Sequence, residues 1–336
     1  MDMTTDIAPR HIRTRALWYA GMRECALNDE IVTCRQGDAL VRTLCSGISR
    51  GTERLIFEGR VPASESERMK GPHMAGTFPF PVKYGYCAVG VVEDGPTGLM
   101  GRNVFALHPH QAHFALPPEQ LTLLPETLPP RRAVLAANME TALNALWDSG
   151  AGPGDRIAVV GAGVVGLLVA SIAAKLPGSD VTLVDVDTSR AALAATLGCA
   201  FSADGAGADD ADIVFHTSAS AAGLNNAISL AGFEGTIVEL SWHGAGDTAV
   251  ALGGAFHSRR LKLISSQVGH VSTSRRARWG YARRMEKALQ LLGDARLDAL
   301  ITDDIPFADA PLRLPALFAP GAGGLTAVLS YEAPLS

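Results

Sequence analysis

From Arg156 onward the chain alternates between short apolar runs and helix-like stretches. RIAVV, VTLVDVD, ADIVF and GTIVELS read as strands, and VVGLLVASIAAKL, SRAALAATLG and AAGLNNAISLA read as the helices between them. Strands that are apolar along their whole length are buried on both faces, and helices interleaved with them cover those faces. This pattern constrains the fold more than any other feature: it predicts an α/β, doubly wound parallel sheet. The first strand leads into Gly161-Ala162-Gly163-Val164-Val165-Gly166. A GxGxxG run carries meaning only between a strand and a helix, which is where this one lies. There Gly161 allows the tight turn, Gly163 lets the backbone approach a pyrophosphate, and Gly166 lets helix and strand pack closely. The helix N-terminus then presents N–H groups to the phosphates.

Asp185 stands nineteen residues beyond Gly166, at the end of the next strand. A carboxylate there accepts hydrogen bonds from an adenosine ribose and repels a 2′-phosphate, so the expected cofactor is NAD rather than NADP.

The rest of the chain has a different texture. Up to about Leu128 it offers short β-like pieces (TRALWYA, DEIVTC, DALVRTL, CAVGVVED, NVFALH, HFALP) separated by turn residues. After Asp294 the pieces LDALITDDIPF and LTAVLSYE return to that style. The expected organisation is a β-rich domain, residues 1–135 completed by 295–336, interrupted by a nucleotide-type domain at 136–294. A length of 336 residues suits two cores. The net charge of −5 argues against a nucleic-acid partner. No apolar window is long enough for a membrane span, and MDMTTDIAPRHIRTRALWY lacks a signal core, so a soluble, cytoplasmic protein is expected. The five cysteines have no CxxC spacing and read as reduced, mostly buried thiols.

With these motifs in place the chain resembles the medium-chain dehydrogenase/reductase superfamily, zinc-type alcohol dehydrogenase-like, from about Thr14 to Tyr331. The resemblance rests on SGIS…GTE, PVKYGYCAVGVVEDG, PGDRIAVVGAGVVG and LDALITDDIPFADA…LTAVLSY. It implies a GroES-like β-rich domain, completed by the C-terminal tail, plus a Rossmann domain. It further implies that Val164 and Val165 of the turn meet the cofactor, that Arg190 lies near the adenosine ribose, and that Thr217 lies beside the cofactor. SGISRGTE followed by EGRVP resembles the zinc-lacking branch that contains bacteriochlorophyllide dehydrogenase. The superfamily's three zinc-ligand positions fall on Ser49, Tyr86 (with Cys87 in the following acid's place) and about Ala137, none a good ligand. No metal is therefore expected. Cys45 or Cys87, or the histidines of HPHQAH (His108, His110, His113), stay open as substitutes, although that loop reads as surface.

Hydride transfer without a metal requires hydrogen-bond donors at the reacting oxygen. The candidates are Ser49, Thr52, Tyr86 and His110. Thr52 falls where the family has a proton-relay hydroxyl. Tyr86 is either an oxyanion donor or a pocket wall, and His110 either a proton donor or an ordinary loop residue. Glu53 is expected to pair with an arginine beneath the cofactor, and Arg50 to be a solvated charge. Trp242 and His243 read as pocket walls, while Phe57, Tyr84 and Met139 add an apolar lining suited to a bulky, largely apolar small-molecule substrate. The basic stretch of Arg275, Arg276, Arg278, Arg283, Arg284 and Lys287 reads as a solvated helix face or as a phosphate attractor. The resulting expectation is an NAD(H)-dependent, zinc-independent oxidoreductase interconverting a secondary alcohol and a ketone, as a homodimer. A zinc-free quinone or enone reductase and a catalytically silent nucleotide-binding protein are the alternatives.

Overall fold

Six parallel strands of the glycine-turn region form one sheet, in the spatial order Ala200–Ser202, Asp180–Val184, Arg156–Val160, Ala211–His216, Ala231–Glu239, Lys262–Ser265. Counted along the chain this is 3-2-1-4-5-6, the Rossmann order. In the first strand, Ile157 to Val160 are all buried, as a strand covered on both faces must be. The helix Val164–Ala173 that follows is buried from Gly166 to its end.

The computed structural model describes residues 8–332, so the very start of the stretch read for a signal core lies outside the described residues. The chain divides into two units: residues up to Ala136 together with those from Ile301, and Ala137–Leu300. The return to the first unit comes at Ile301, six residues after the expected 295. Leu297 and Leu300 are fully buried in the short helical turn Ala295–Leu300, which packs on the Rossmann helix Ala191–Leu197. Among the described residues no helix is long and apolar enough to cross a membrane.

The first unit is β-rich. One sheet runs Glu24–Cys34, Arg10–Gly21, Val82–Lys83, Ala75–Gly76. A second, seven-stranded sheet is built around Ala39–Ile48. The C-terminal strand Thr326–Ser330 pairs antiparallel with Ala39–Ile48, setting Leu329 opposite Ser46 and Ala327 opposite Ile48. Ile301–Pro306 adds outside it in parallel.

Two stretches differ from their sequence reading. SGISRGTERLIFEG, whose crowded hydroxyls, charges and glycines suggest a loop leaving a sheet edge, instead ends the Ala39–Ile48 strand with its first residues and forms an α-helix over Arg50–Phe57, with Ser49 as the extended N-cap. Ile56 and Phe57 drive that helix by burying in the β-rich core, and Leu55 is buried as well. The basic stretch is helical only from Tyr281 to Leu291. There Arg284 is not solvated but among the largest fully buried side chains. It pairs with Glu140 at 2.9 Å and donates to Asn144 and to the carbonyls of Val268 and His270.

Candidate functional site

The glycine turn leaves the sheet between the first and fourth strands, the switch point at which doubly wound sheets bind ligands. Gly161 adopts φ +108°, a conformation that strains any L side chain. A Cβ on Gly166 would lie 1.9 Å from the Gly161 carbonyl oxygen and 2.6 Å from Thr217 Oγ1. Thr217 donates to that same carbonyl at 2.8 Å, tying the fourth strand to the turn. Gly163 is different: its backbone is extended (φ −75°) and a Cβ there would meet nothing within 4 Å. The fold requires glycine at 161 and 166, but at 163 only a ligand would. Val164 and Val165, partly exposed, open the helix with N–H groups that lack intrahelical acceptors.

Asp185 closes the far side. Its Oδ2 accepts the Ala162 N–H at 2.6 Å and its Oδ1 the Asp187 N–H at 2.8 Å, which fixes the carboxylate against the turn. Arg190 pairs with Asp187 at 3.1 Å. The residues present therefore fit a dinucleotide: bare backbone for phosphate, a fixed acid for ribose hydroxyls.

In the first unit, Ser49, Thr52 and Tyr86 come together at the strand–helix corner. Tyr86 Oη donates to Thr52 Oγ1 across 3.5 Å, and the Ser49 hydroxyl is close enough to act on the phenol electrostatically. Burial pushes the Tyr86 phenol well above its ordinary pKa, more than the neighbouring Ser49 and Thr52 hydroxyls pull it down. It is a proton-bearing donor at neutral pH.

Beneath this corner lies a buried polar chain that sequence reasoning missed. Glu53, wholly buried, accepts from the Ser49 N–H at 2.7 Å and from Tyr19 Oη at 2.5 Å, and meets His110 Nε2 at 3.0 Å. His110 Nδ1 lies 2.7 Å from Ser46 Oγ, which lies 3.0 Å from Tyr331 Oη. Glu53 thus binds a tyrosine, a histidine and a backbone amide rather than the expected arginine. His110 is fully buried with both ring nitrogens engaged, so it is no surface loop residue.

The other HPHQAH histidines do not converge either. His108 is buried and stacks on Phe114 at 4.2 Å, and His113 faces Glu93 at 3.7 Å. All five cysteines are buried, and burial drives the Cys45 thiol up to about 12. Phe57, Tyr84 and Met139 are core residues rather than the apolar lining expected for a bulky substrate. Arg50 is not a solvated charge; its guanidinium binds the Leu317, Ala322 and Gly323 carbonyls. Trp242 and His243, both partly exposed, follow the fifth Rossmann strand at its carboxyl end.

No family model matches this sequence. Among solved structures the chain is similar to L-idonate 5-dehydrogenase from Escherichia coli K-12 MG1655, at 15% identity and a TM-score of 0.79, over 96% of this chain and 99% of that one. It is similar to a protein from Sinorhizobium meliloti 1021 bound to NADP, at 18% identity and a TM-score of 0.75 over 95% and 99%. It is also similar to a short chain alcohol dehydrogenase from E. coli CFT073 complexed with NADH, at 14% identity and a TM-score of 0.74 over 95% and 99%. The chain thus has the α/β fold of these proteins, a GroES-like β-rich unit and a Rossmann unit.

Proposed function

We propose that this protein is an NAD(H)-dependent oxidoreductase interconverting a secondary alcohol and a ketone, with hydroxyl groups standing where relatives of the zinc-type superfamily would hold a metal. The observation that carries this reading is Gly163: the fold does not require its missing Cβ, whereas a bound pyrophosphate would. A nicotinamide, when bound, accepts or delivers the hydride. The chain's own residues do the rest. Gly163, Val164 and Val165 offer backbone to the phosphates. Asp185 favours ribose hydroxyls over a 2′-phosphate, and Arg190, a cation that could otherwise attract that phosphate, is already paired with Asp187.

At the corner, Tyr86 is the group best suited to polarise a carbonyl oxygen, because a phenol keeps its proton at neutral pH and burial raises its pKa further. The same property makes it a poor base. Thr52 accepts from the phenol at 3.5 Å, and Ser49 lies beside it. Glu53 and His110 act as positioning residues: the carboxylate grips the Ser49 N–H, and the imidazole anchors the carboxylate. Ser49, Tyr86 and Ala137, which offer no thiolate or imidazole, favour the zinc-lacking branch.

The test is fluorescence titration with NADH and NADPH, followed by an NAD-linked screen of secondary alcohols, ketones, quinones and enones. NADH binding with turnover on an alcohol–ketone pair is expected. Binding of neither nucleotide would overturn the reading as a whole. Tenfold tighter NADPH would overturn the role given to Asp185, and turnover on quinones or enones alone would overturn the substrate class.

A further inference from the structure

The fourth and fifth Rossmann strands each end in a titratable residue, His216 and Glu239, which are register partners across the sheet. The segment after the fifth strand brings His243 to the same carboxylate oxygen. Glu239 Oε2 lies 2.6 Å from His216 Nδ1 and 3.5 Å from His243 Nε2. One ligand atom from each residue falls within 4.8 Å of the others, and among the described residues no other three His, Cys, Asp or Glu side chains gather in this way. We propose that His216, Glu239 and His243 form a binding site for one divalent transition-metal ion of the zinc type, with a fourth position open to water or an anion.

Three observations carry the assignment. The donor set, two imidazoles and one carboxylate, is one that zinc takes when it keeps an open position. The remaining polar atom of every ligand is already held by a partner that points the metal-binding atom inward. Ser218 Oγ holds His216 Nε2 at 2.7 Å, Thr248 Oγ1 holds His243 Nδ1 at 3.1 Å, and the Ser241 N–H donates to Glu239 Oε1 at 2.6 Å. Such outer partners fix ring orientation and tautomer in metal sites. Finally, His243 Nε2 is shielded from solvent and makes no hydrogen bond although it lies 3.5 Å from the Glu239 carboxylate, so a buried ring nitrogen faces the site without a partner.

Tetrahedral ligands at zinc distances stand about 3.4 Å apart, so the His243 spacing already fits and the His216–Glu239 contact must open by about 0.8 Å. His216 is fully buried, while Glu239 and His243 keep 17% and 20% of their side-chain exposure. None of the three stands at Ser49, Tyr86 or Ala137, the positions on which the superfamily's zinc ligands fall. The proposal does not depend on the function given above.

Tag-free, chelator-stripped protein titrated with cobalt(II) chloride provides the test, read by visible absorption and by metal stoichiometry. One ion per chain is expected, with the intense visible bands of four-coordinate cobalt and displacement by zinc chloride. Glu239→Gln and His243→Asn should weaken binding at least tenfold. Thr248→Val, which leaves all three ligands and removes only the partner of the His243 ring, should weaken it by about tenfold. A wild-type protein that takes up no cobalt, or variants that bind it as tightly as wild type, would reduce the cluster to a His216–Glu239 hydrogen bond and overturn the proposal. Should circular dichroism show Glu239→Gln unfolded, the wild-type spectrum and His243→Asn, in the segment beyond the strand, still decide.

Discussion

Replacing the second and third glycines of the turn by alanine should separate a ligand requirement from a folding requirement. In Gly166→Ala the new methyl lies 1.9 Å from the Gly161 carbonyl oxygen, well inside ordinary contact, and both obstacles, that carbonyl and the Thr217 hydroxyl, are fixed by the sheet. Overpacking of this kind costs about 1–3 kcal/mol. The gain in helix propensity, about 1 kcal/mol, offsets part of it. With the clash at the upper end, the net loss is about 2 kcal/mol, or roughly 4–8 °C in Tm for a unit of this size. Gly163→Ala meets no atom and has an unstrained φ. Its entropic benefit and its poorer N-capping nearly cancel, so stability should hold within about 1 kcal/mol. Binding should not hold. Losing one charged hydrogen bond between phosphate and backbone costs about 1.5–3 kcal/mol, a roughly 10- to 150-fold weaker Kd for NADH. The assay is thermal unfolding beside NADH titration read by energy transfer from the four tryptophans. A Gly163→Ala protein that binds NADH within twofold of wild type would refute the pyrophosphate cradle. One that melts as early as Gly166→Ala would refute the packing argument.

Other perturbations test other parts of the chain. Burial holds the His108 imidazole down to about 3, so its neutral form adds stability that is complete above about pH 6.5 and is lost as pH falls from there toward 3. At pH 5 the loss is about 2 kcal/mol, and urea unfolding of a His108→Gln variant should lack this acid slope. Arg284→Met leaves Glu140 buried without its partner and should cost about 3–5 kcal/mol in urea unfolding, with partial rescue by Glu140→Gln. Asp185→Ser should raise NADPH affinity relative to NADH by tenfold or more, read from paired fluorescence titrations. Tyr86→Phe should lower kcat by about 10²- to 10³-fold with NADH binding unchanged, and unchanged turnover would remove the phenol from the mechanism.

The local features were legible before any coordinates. Apolar runs of strand length, the glycines at 161, 163 and 166 and the acid at 185 act within about thirty residues of one another, and their meaning follows from backbone geometry and period. The corner was half legible. Ser49, Thr52 and Tyr86 do gather, but the helix Arg50–Phe57 was hidden because polar residues fill its first turn.

The buried chain beneath the corner was not legible, because its partners are remote: Glu53 and His110 are 57 residues apart, and Ser46 and Tyr331 are 285 apart. Nothing local tells a fully buried histidine from a loop histidine. For His216 and Glu239 a faint signal existed, since each ends an apolar run, yet only parallel pairing in register makes them neighbours. By itself the sequence determined the alternating α/β pattern and the phosphate-binding turn, where hydrogen bonding and chain stiffness operate over short spans. Tertiary structure alone decided which ionisable groups meet. Their partners are chosen by strand register and by the C-terminal strand returning to pair with Ala39–Ile48, and burial then sets what each proton can do.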